Sequence, residues 1–131
     1  MPMPMRRISL QSPAKKTKKI VIPEKVVLKI VTQYLEAKGI LYIRHHPLRL
    51  TGKAGALIPV KGAKSSLGAP DILIFIEDKV IACECKASNG RLSENQIDWH
   101  NRFSRSMQEN GICVIVRQLD DLVFLIDRIL E

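Results

Sequence analysis

Apolar residues recur along this chain with two different periods, and each period marks a different kind of element. Val27, Ile30, Val31, Tyr34 and Leu35 fall three and four positions apart, which is the spacing of one helix face. Pro23 suits the first turn of such a helix and Gly39 suits its end, so the spacing predicts a helix over 23–38. Residues 40–45 and 71–76 are short apolar runs of strand length. Another strand is expected over 80–87. The brief Glu77-Asp78-Lys79 connection makes it antiparallel to its predecessor. Asn89-Gly90 marks a turn over 88–91, and Ser93 followed by Gln96 is a capping box that opens a helix running to 110, before Gly111. The apolar run 112–117 is a fourth strand. A long helix separates it from the third, so the two should pair in parallel through a right-handed crossover. Leu122, Ile126 and Ile129 line one face of a last helix over 120–130. Between them, 47–70 reads as a loop with Gly52, Gly55, Gly62 and Gly68, with room to extend the first strand into a hairpin.

The order is α-β-β-β-α-β-α: an α/β fold with a mixed four-stranded sheet and flanking helices, and no internal repeat. At 131 residues, 46% of them hydrophobic, the chain is one domain with enough apolar surface for a core of its own. The first 22 residues lack periodicity and carry Arg6, Arg7, Lys15, Lys16, Lys18 and Lys19 without an acid. They read as a disordered basic tail ahead of a domain over 23–131. That tail holds six of the eight units of the +8 net charge, and a surplus of this size points to a polyanionic partner, nucleic acid first. Cys83, Cys85 and Cys113 form no even framework, so the thiols are expected reduced, in an intracellular setting. No apolar stretch approaches membrane-spanning length, and the start lacks the apolar core of a secretory signal, so no membrane association is expected.

Alternation along the third strand supplies the candidate chemistry. Val80, Ala82, Glu84 and Lys86 share one face, and Ile81, Cys83 and Cys85 share the other. Two charged side chains projecting from a central strand cost several kcal/mol unless they are paired or bind something. Asp71 opens the antiparallel neighbour and can approach Glu84 across the hairpin. Converging carboxylates beside an ammonium suit Mg²⁺-assisted phosphodiester hydrolysis, with hard oxygen ligands for the ion and a lysine to orient water or stabilise developing charge. Gln96 is the polar member of the apolar stripe Leu92, Trp99, Phe103 and Met107, and so should face the sheet near Lys86. Glu24 shares a face with Val27, Val31 and Tyr34. Plainer readings exist for each: Glu-x-Lys as a solvated edge-strand pair, Glu24 as an acid favoured by the helix dipole, Gln96 as a capping residue. The Gly-x-Pro-Asp entry, the inward Gln96 and the basic surface together favour a site over the edge-strand reading, while Glu24 fits either of its readings. His45, His46 and His100 lack a ligand spacing and read as surface or phosphate-contacting residues. Trp99 reads as core packing.

Gly68-Ala69-Pro70-Asp71, Glu84-Cys85-Lys86, Gln96 with Trp99, and Val114-Ile115-Val116-Arg117, with Glu24 in the first helix, resemble in order and type the VRR-NUC branch of the PD-(D/E)XK nucleases. The resemblance spans about residues 23–130. It implies a restriction-endonuclease-like fold and a DNA endonuclease dependent on Mg²⁺ or Mn²⁺, with no organic cofactor. By resemblance, Asp71 and Glu84 ligate the metal with help from the carbonyl of Cys85. Lys86 is catalytic, Glu24 assists through water and Gln96 helps place the site. Stand-alone phage and bacterial members of similar size are associated with homodimers that cut branched DNA, including four-way (Holliday) junctions. Other members serve in DNA repair, and the implied location is cytoplasmic, near the nucleoid. The basic leader departs from the minimal pattern and leaves the substrate range open. Arg44, Arg49, Lys53, Lys61 and Lys64 around the Gly-rich loop are the candidate DNA contacts. A less selective nicking or flap nuclease and a catalytically silent DNA-binding module are the alternatives. An RNA-binding role fits poorly, because aromatic residues make up 5% of the chain and offer few stacking platforms.

Overall fold

The computed structural model describes residues 20–45, 49–51, 57–59 and 67–131. Helix α1 spans Glu24–Lys38, and Pro23 precedes its first turn. It stops at Gly39, whose φ of 68° is the left-handed conformation that glycine adopts without a steric penalty. Strand β1 follows at Leu41–Arg44. Strands β2 (Arg49–Thr51) and β3 (Leu57–Pro59) pair with each other. Next come β4 (Ile72–Ile76), β5 (Lys79–Cys85), α2 (Glu94–Met107) with a 3₁₀ turn at Gln108–Asn110, β6 (Gly111–Val116) and α3 (Leu119–Leu130). The expected order therefore needs one correction. Within the Gly-rich stretch, the described residues include two further strands, β2 and β3, which form a separate two-stranded sheet.

The main sheet is four-stranded and mixed, in the order β1-β4-β5-β6. β4 is antiparallel to both β1 and β5, while β5 and β6 are parallel. The β4–β5 turn is two residues long, and Glu77 enters it at a φ of 54°. That turn fixes the register, with Ile76 opposite Lys79 and Ile72 opposite Cys83.

One face of the sheet carries Ile72, Ile74, Ile76, Ile81, Cys83, Cys85 and Val116, all buried. They pack with Val27, Val31 and Leu35 of α1 and with Leu122 and Ile126 of α3. These helix positions are spaced four and eight apart, so each helix turns one apolar stripe to the sheet. Ile22, assigned by composition to the leader, also packs against this core, and its N–H donates to Ser88 Oγ at 3.2 Å. Helix α2 lies on the opposite face, against β6. The space a side chain at Gly111 would need is taken by Met107 and Phe103, and Cys113 Sγ reaches the His100 carbonyl at 3.7 Å.

His100 differs from the sequence expectation. It is buried rather than at the surface, its ring meets Trp99 edge-on, and neither ring nitrogen has a partner. Burial disfavours its charged form and lowers its pKa. No described helix is long and apolar enough to cross a membrane.

Leu35 is fully buried where α1 meets the sheet. Leu35→Ala is expected to cost about 2–5 kcal/mol of unfolding free energy with an unchanged urea m-value. A loss below about 1 kcal/mol would mean that α1 contributes little to this core.

Candidate active site

Hairpin register brings the carboxylates together. One step beyond the Ile72–Cys83 pair, Asp71 stands opposite Glu84, on the face away from the main core. Asp71 is held at three points. Its Oδ2 accepts from the Cys85 N–H at 2.8 Å, its carbonyl accepts from the His45 N–H at 2.8 Å, and Pro70 before it is buried. Glu84 is 2% exposed, and its Oε1 has no hydrogen-bond partner. Its carboxyl is raised from 4.5 to about 9, first by burial, then by hydrogen bonding to Asp71 and by the charge of Asp71; Lys86 opposes the rise, and Glu24 adds a smaller repulsion.

A pocket of about 300 Å³ opens over the pair, lined by Glu24, His45, Gly68, Asp71, Glu84 and Gln96, together with Leu67, Ala69, Ser93 and Asn95. Of the five expected site residues, four line it: Glu24, Asp71, Glu84 and Gln96. Lys86 is not among the lining residues. It follows β5, half-buried, with its N–H donating to Val116 O at 3.0 Å, and it reaches Glu84 through its charge. The Cys85 thiol is buried on the core face, so only the carbonyl of that residue is suited to a hard cation.

Gln96 caps α2 and also lines the pocket. Its Oε1 accepts from the Ser93 N–H at 2.8 Å while its own N–H donates to Ser93 Oγ at 3.2 Å, completing the capping box. That use of the oxygen turns the amide NH₂ into its remaining donor at the pocket.

Gly68 ties this helix end to Asp71. Its φ is 80°, and a Cβ there would lie 2.1 Å from the Asn95 carbonyl oxygen. The loop before Asp71 is thus pressed directly on the first turn of α2. Sequence reasoning did not single out His45, Ser93 or Asn95 as lining residues. His45 was hidden because its place depends on the β1–β4 register, Arg44 opposite Ile72, which turn chemistry does not reveal.

Among the described residues no three His, Cys, Asp or Glu side chains converge to hold a metal ion. Two carboxylates nevertheless suit Mg²⁺, which keeps several waters and is commonly held by one or two such groups. The unpartnered Glu84 Oε1, buried across the hairpin from Asp71, is an oxygen acceptor of the kind a divalent cation would satisfy. Of the candidate DNA contacts, Arg44 is exposed at the end of β1 and Arg49 opens β2. Lys53, Lys61 and Lys64 lie outside the described residues, as does the leader up to residue 19.

Comparison with models of known protein families, with curated proteins and with solved structures finds no match. The described residues form a mixed α/β fold with a four-stranded mixed sheet and three α-helices.

Two outcomes follow from this geometry. Gly68→Ala forces a strained φ and a backbone clash together, and is expected to cost about 1–3 kcal/mol in urea unfolding. A change below about 0.5 kcal/mol would show that the loop does not rest on α2. Glu84 has a folded pKa above its unfolded one, so the folded chain keeps a proton that the unfolded chain releases. Its contribution is greatest below pH 4.5 and is lost as pH rises towards about 9. In chelator, Glu84→Gln should therefore be more stable than wild type at pH 8, by on the order of 1–3 kcal/mol, with the gap closing at pH 5. A difference independent of pH would count against a protonated, buried Glu84.

Proposed function

We propose that this protein is a metal-dependent DNA endonuclease with a restriction-endonuclease-like fold, of the VRR-NUC type, acting as a homodimer on branched DNA such as four-way junctions. The observation that carries the reading is the buried, unpartnered Glu84 oxygen facing Asp71 at the floor of an open pocket. Burying a carboxylate beside another is unfavourable, and it is understandable when a divalent cation is to be held between them. The ordered motif supports the same reading, since Glu24, Asp71, Glu84 and Gln96, far apart in sequence, line one pocket. The charge surplus of +8 suits a polyanionic substrate.

In this reading Asp71 and Glu84 hold Mg²⁺ or Mn²⁺ with the Cys85 carbonyl. When bound, the cation supplies Lewis-acid stabilisation of the phosphate and acidifies water for attack. Lys86, beside Glu84, stabilises negative charge as it develops and helps to orient the attacking water. The backbone N–H of Cys85 keeps Asp71 aimed at the pocket. The Gln96 amide donates to water or to a phosphate oxygen, and Glu24 adds a carboxylate acceptor at the rim. Arg44 and the basic leader attract the DNA backbone, which raises affinity without reading sequence.

The test is cleavage of a four-way junction, a flap and a linear duplex with Mg²⁺ and with Mn²⁺. Junction cleavage is expected, falling at least about 100-fold in Lys86→Ala and Asp71→Ala while circular dichroism stays native. Cleavage of all three forms at similar rates would replace the selective enzyme with a general nicking nuclease. If the protein binds DNA but Glu84→Ala behaves as wild type, it is a DNA-binding module. If Mn²⁺ supports no cleavage of any form, the nuclease reading is wrong.

A further inference from the structure

A second concavity lies farther along α2, on the helix that carries Gln96. It has a volume of about 250 Å³ and is lined by Trp99, Arg102, Phe103 and Ser106. The Trp99 and Phe103 rings are stacked, with centroids 5.2 Å apart and planes 15° from parallel. Neither residue belongs to the main core, and both are half-buried. This departs from the sequence expectation of core packing for Trp99. Arg102 is exposed at the rim, and its ion pair with Asp98, at 3.9 Å one turn earlier, is exposed on both sides and therefore weak.

A partly exposed aromatic stack flanked by a guanidinium is equipped to take a flat, electron-rich ring joined to a negative charge. The rings offer stacking surface, the arginine offers a phosphate contact, and Ser106 offers a hydrogen bond to a base edge. The position gives this a direction. Trp99 is three residues beyond Gln96 and Phe103 seven, so they stand about 4.5 Å and about 10 Å farther along the helix axis than the residue lining the carboxylate pocket. A stacked strand advances about 3.4 Å per nucleotide. A base within about three nucleotides of a phosphate held in the carboxylate pocket therefore reaches the groove, provided that it is free of its own helix.

We propose that the Trp99–Phe103 groove binds one unpaired nucleobase of a DNA strand whose neighbouring phosphate occupies the carboxylate pocket, and that this favours DNA with unstacked nucleotides over uninterrupted duplex. A paired base presents its face only to its neighbours in the stack, so a duplex cannot fill the groove without breaking a pair. Branch points already contain bases with weakened stacking and pay less of that penalty. The groove deepens the nuclease reading by naming the feature of the substrate that it selects, and it rests on that reading for the placement of the phosphate.

The test uses the full chain with Ca²⁺ in place of Mg²⁺, and DNA carrying 5-iododeoxyuridine at the branch point of a junction or flap, or within plain duplex. Irradiation is expected to crosslink the branch-point base to Trp99 or Phe103, as mapped by mass spectrometry, and to leave the duplex uncrosslinked there. Trp99→Leu should weaken branched-DNA binding about tenfold and duplex binding less than about twofold. Trp99→Phe should restore most of the loss. Arg102→Ala, a change at the exposed rim that leaves the ring stack in place, should weaken branched binding about two- to threefold and lower the salt slope by about one. Crosslinks elsewhere, or equal losses on branched and duplex DNA in both Trp99→Leu and Arg102→Ala, would overturn the groove. If wild type cuts no DNA yet the crosslink and the selective loss persist, the nuclease reading falls and the groove stands.

Discussion

The two-residue turn at Glu77-Asp78 determines more than the connection it makes. It sets β4 against β5 so that Ile72 faces Cys83, and the next step of that register places Asp71 against Glu84. A slip of one residue would send each side chain of β5 to the other face. Glu84 and Lys86 would then point into the apolar layer beneath α1 and α3, and Cys83 and Cys85 would take their place. The hydrophobic pattern excludes that slip, because Ile81, Cys83 and Cys85 must join the core formed with Ile72 and Ile74. The packing that stabilises the fold is thus also what forces two acids together on the far side of the same strands.

That arrangement has a local cost which the surroundings only partly offset. Asp71 is satisfied by the Cys85 N–H, and Lys86 lies close enough to favour the ionised form of Glu84, but burial and Asp71 outweigh it. The rest of the molecule supports the strain with rigid parts. Gly68 rests on the first turn of α2, Gln96 and Ser93 close that turn on themselves, and β6 accepts the Lys86 N–H through Val116. A site assembled from one hairpin, one helix end and one loop is held in place because each of the three is fixed by backbone contacts. It does not depend on long side chains finding each other.

Much of this was legible in the sequence, and the reasons are specific. Helix α1 could be read from Val27, Val31 and Leu35, and the β4–β5 hairpin from a connection too short for any other pairing. Ser93 and Gln96 announced the start of α2, and its length required the parallel pairing of β5 with β6. Asp71, Glu84, Gln96 and Glu24 could be placed together because each stands at an end or on a defined face of one of those elements. What stayed hidden depended on contacts between elements with no local signature. His45 enters the pocket through the β1–β4 register. His100 is buried where α2 rests on β6, its carbonyl within reach of Cys113 Sγ. Trp99 and Phe103 stay half-buried on the same helix. The pairing of β2 with β3 came from three-residue segments, too short for alternation to reveal.

The charge distribution poses an opposition that the geometry helps to explain. The chain carries a surplus of eight positive charges, yet the pocket over the β4–β5 hairpin is lined by Glu24, Asp71 and Glu84. An acidic pocket by itself repels a phosphate, and a basic surface by itself gives a phosphate no reason to enter it. The two are compatible if attraction and placement are separate tasks: cations such as Arg44 draw a polyanion to the surface, and a divalent cation in the pocket inverts the sign of the field at the one point where chemistry is to occur. On the proposed reading, the raised pKa of Glu84 is the counterpart of that inversion, since the carboxyl gives up its proton when a cation takes the proton's place beside Asp71. The protein would then be guarded against holding phosphate unproductively, because without the cation the acids Glu24, Asp71 and Glu84 outnumber the neutral donors of the pocket such as Gln96.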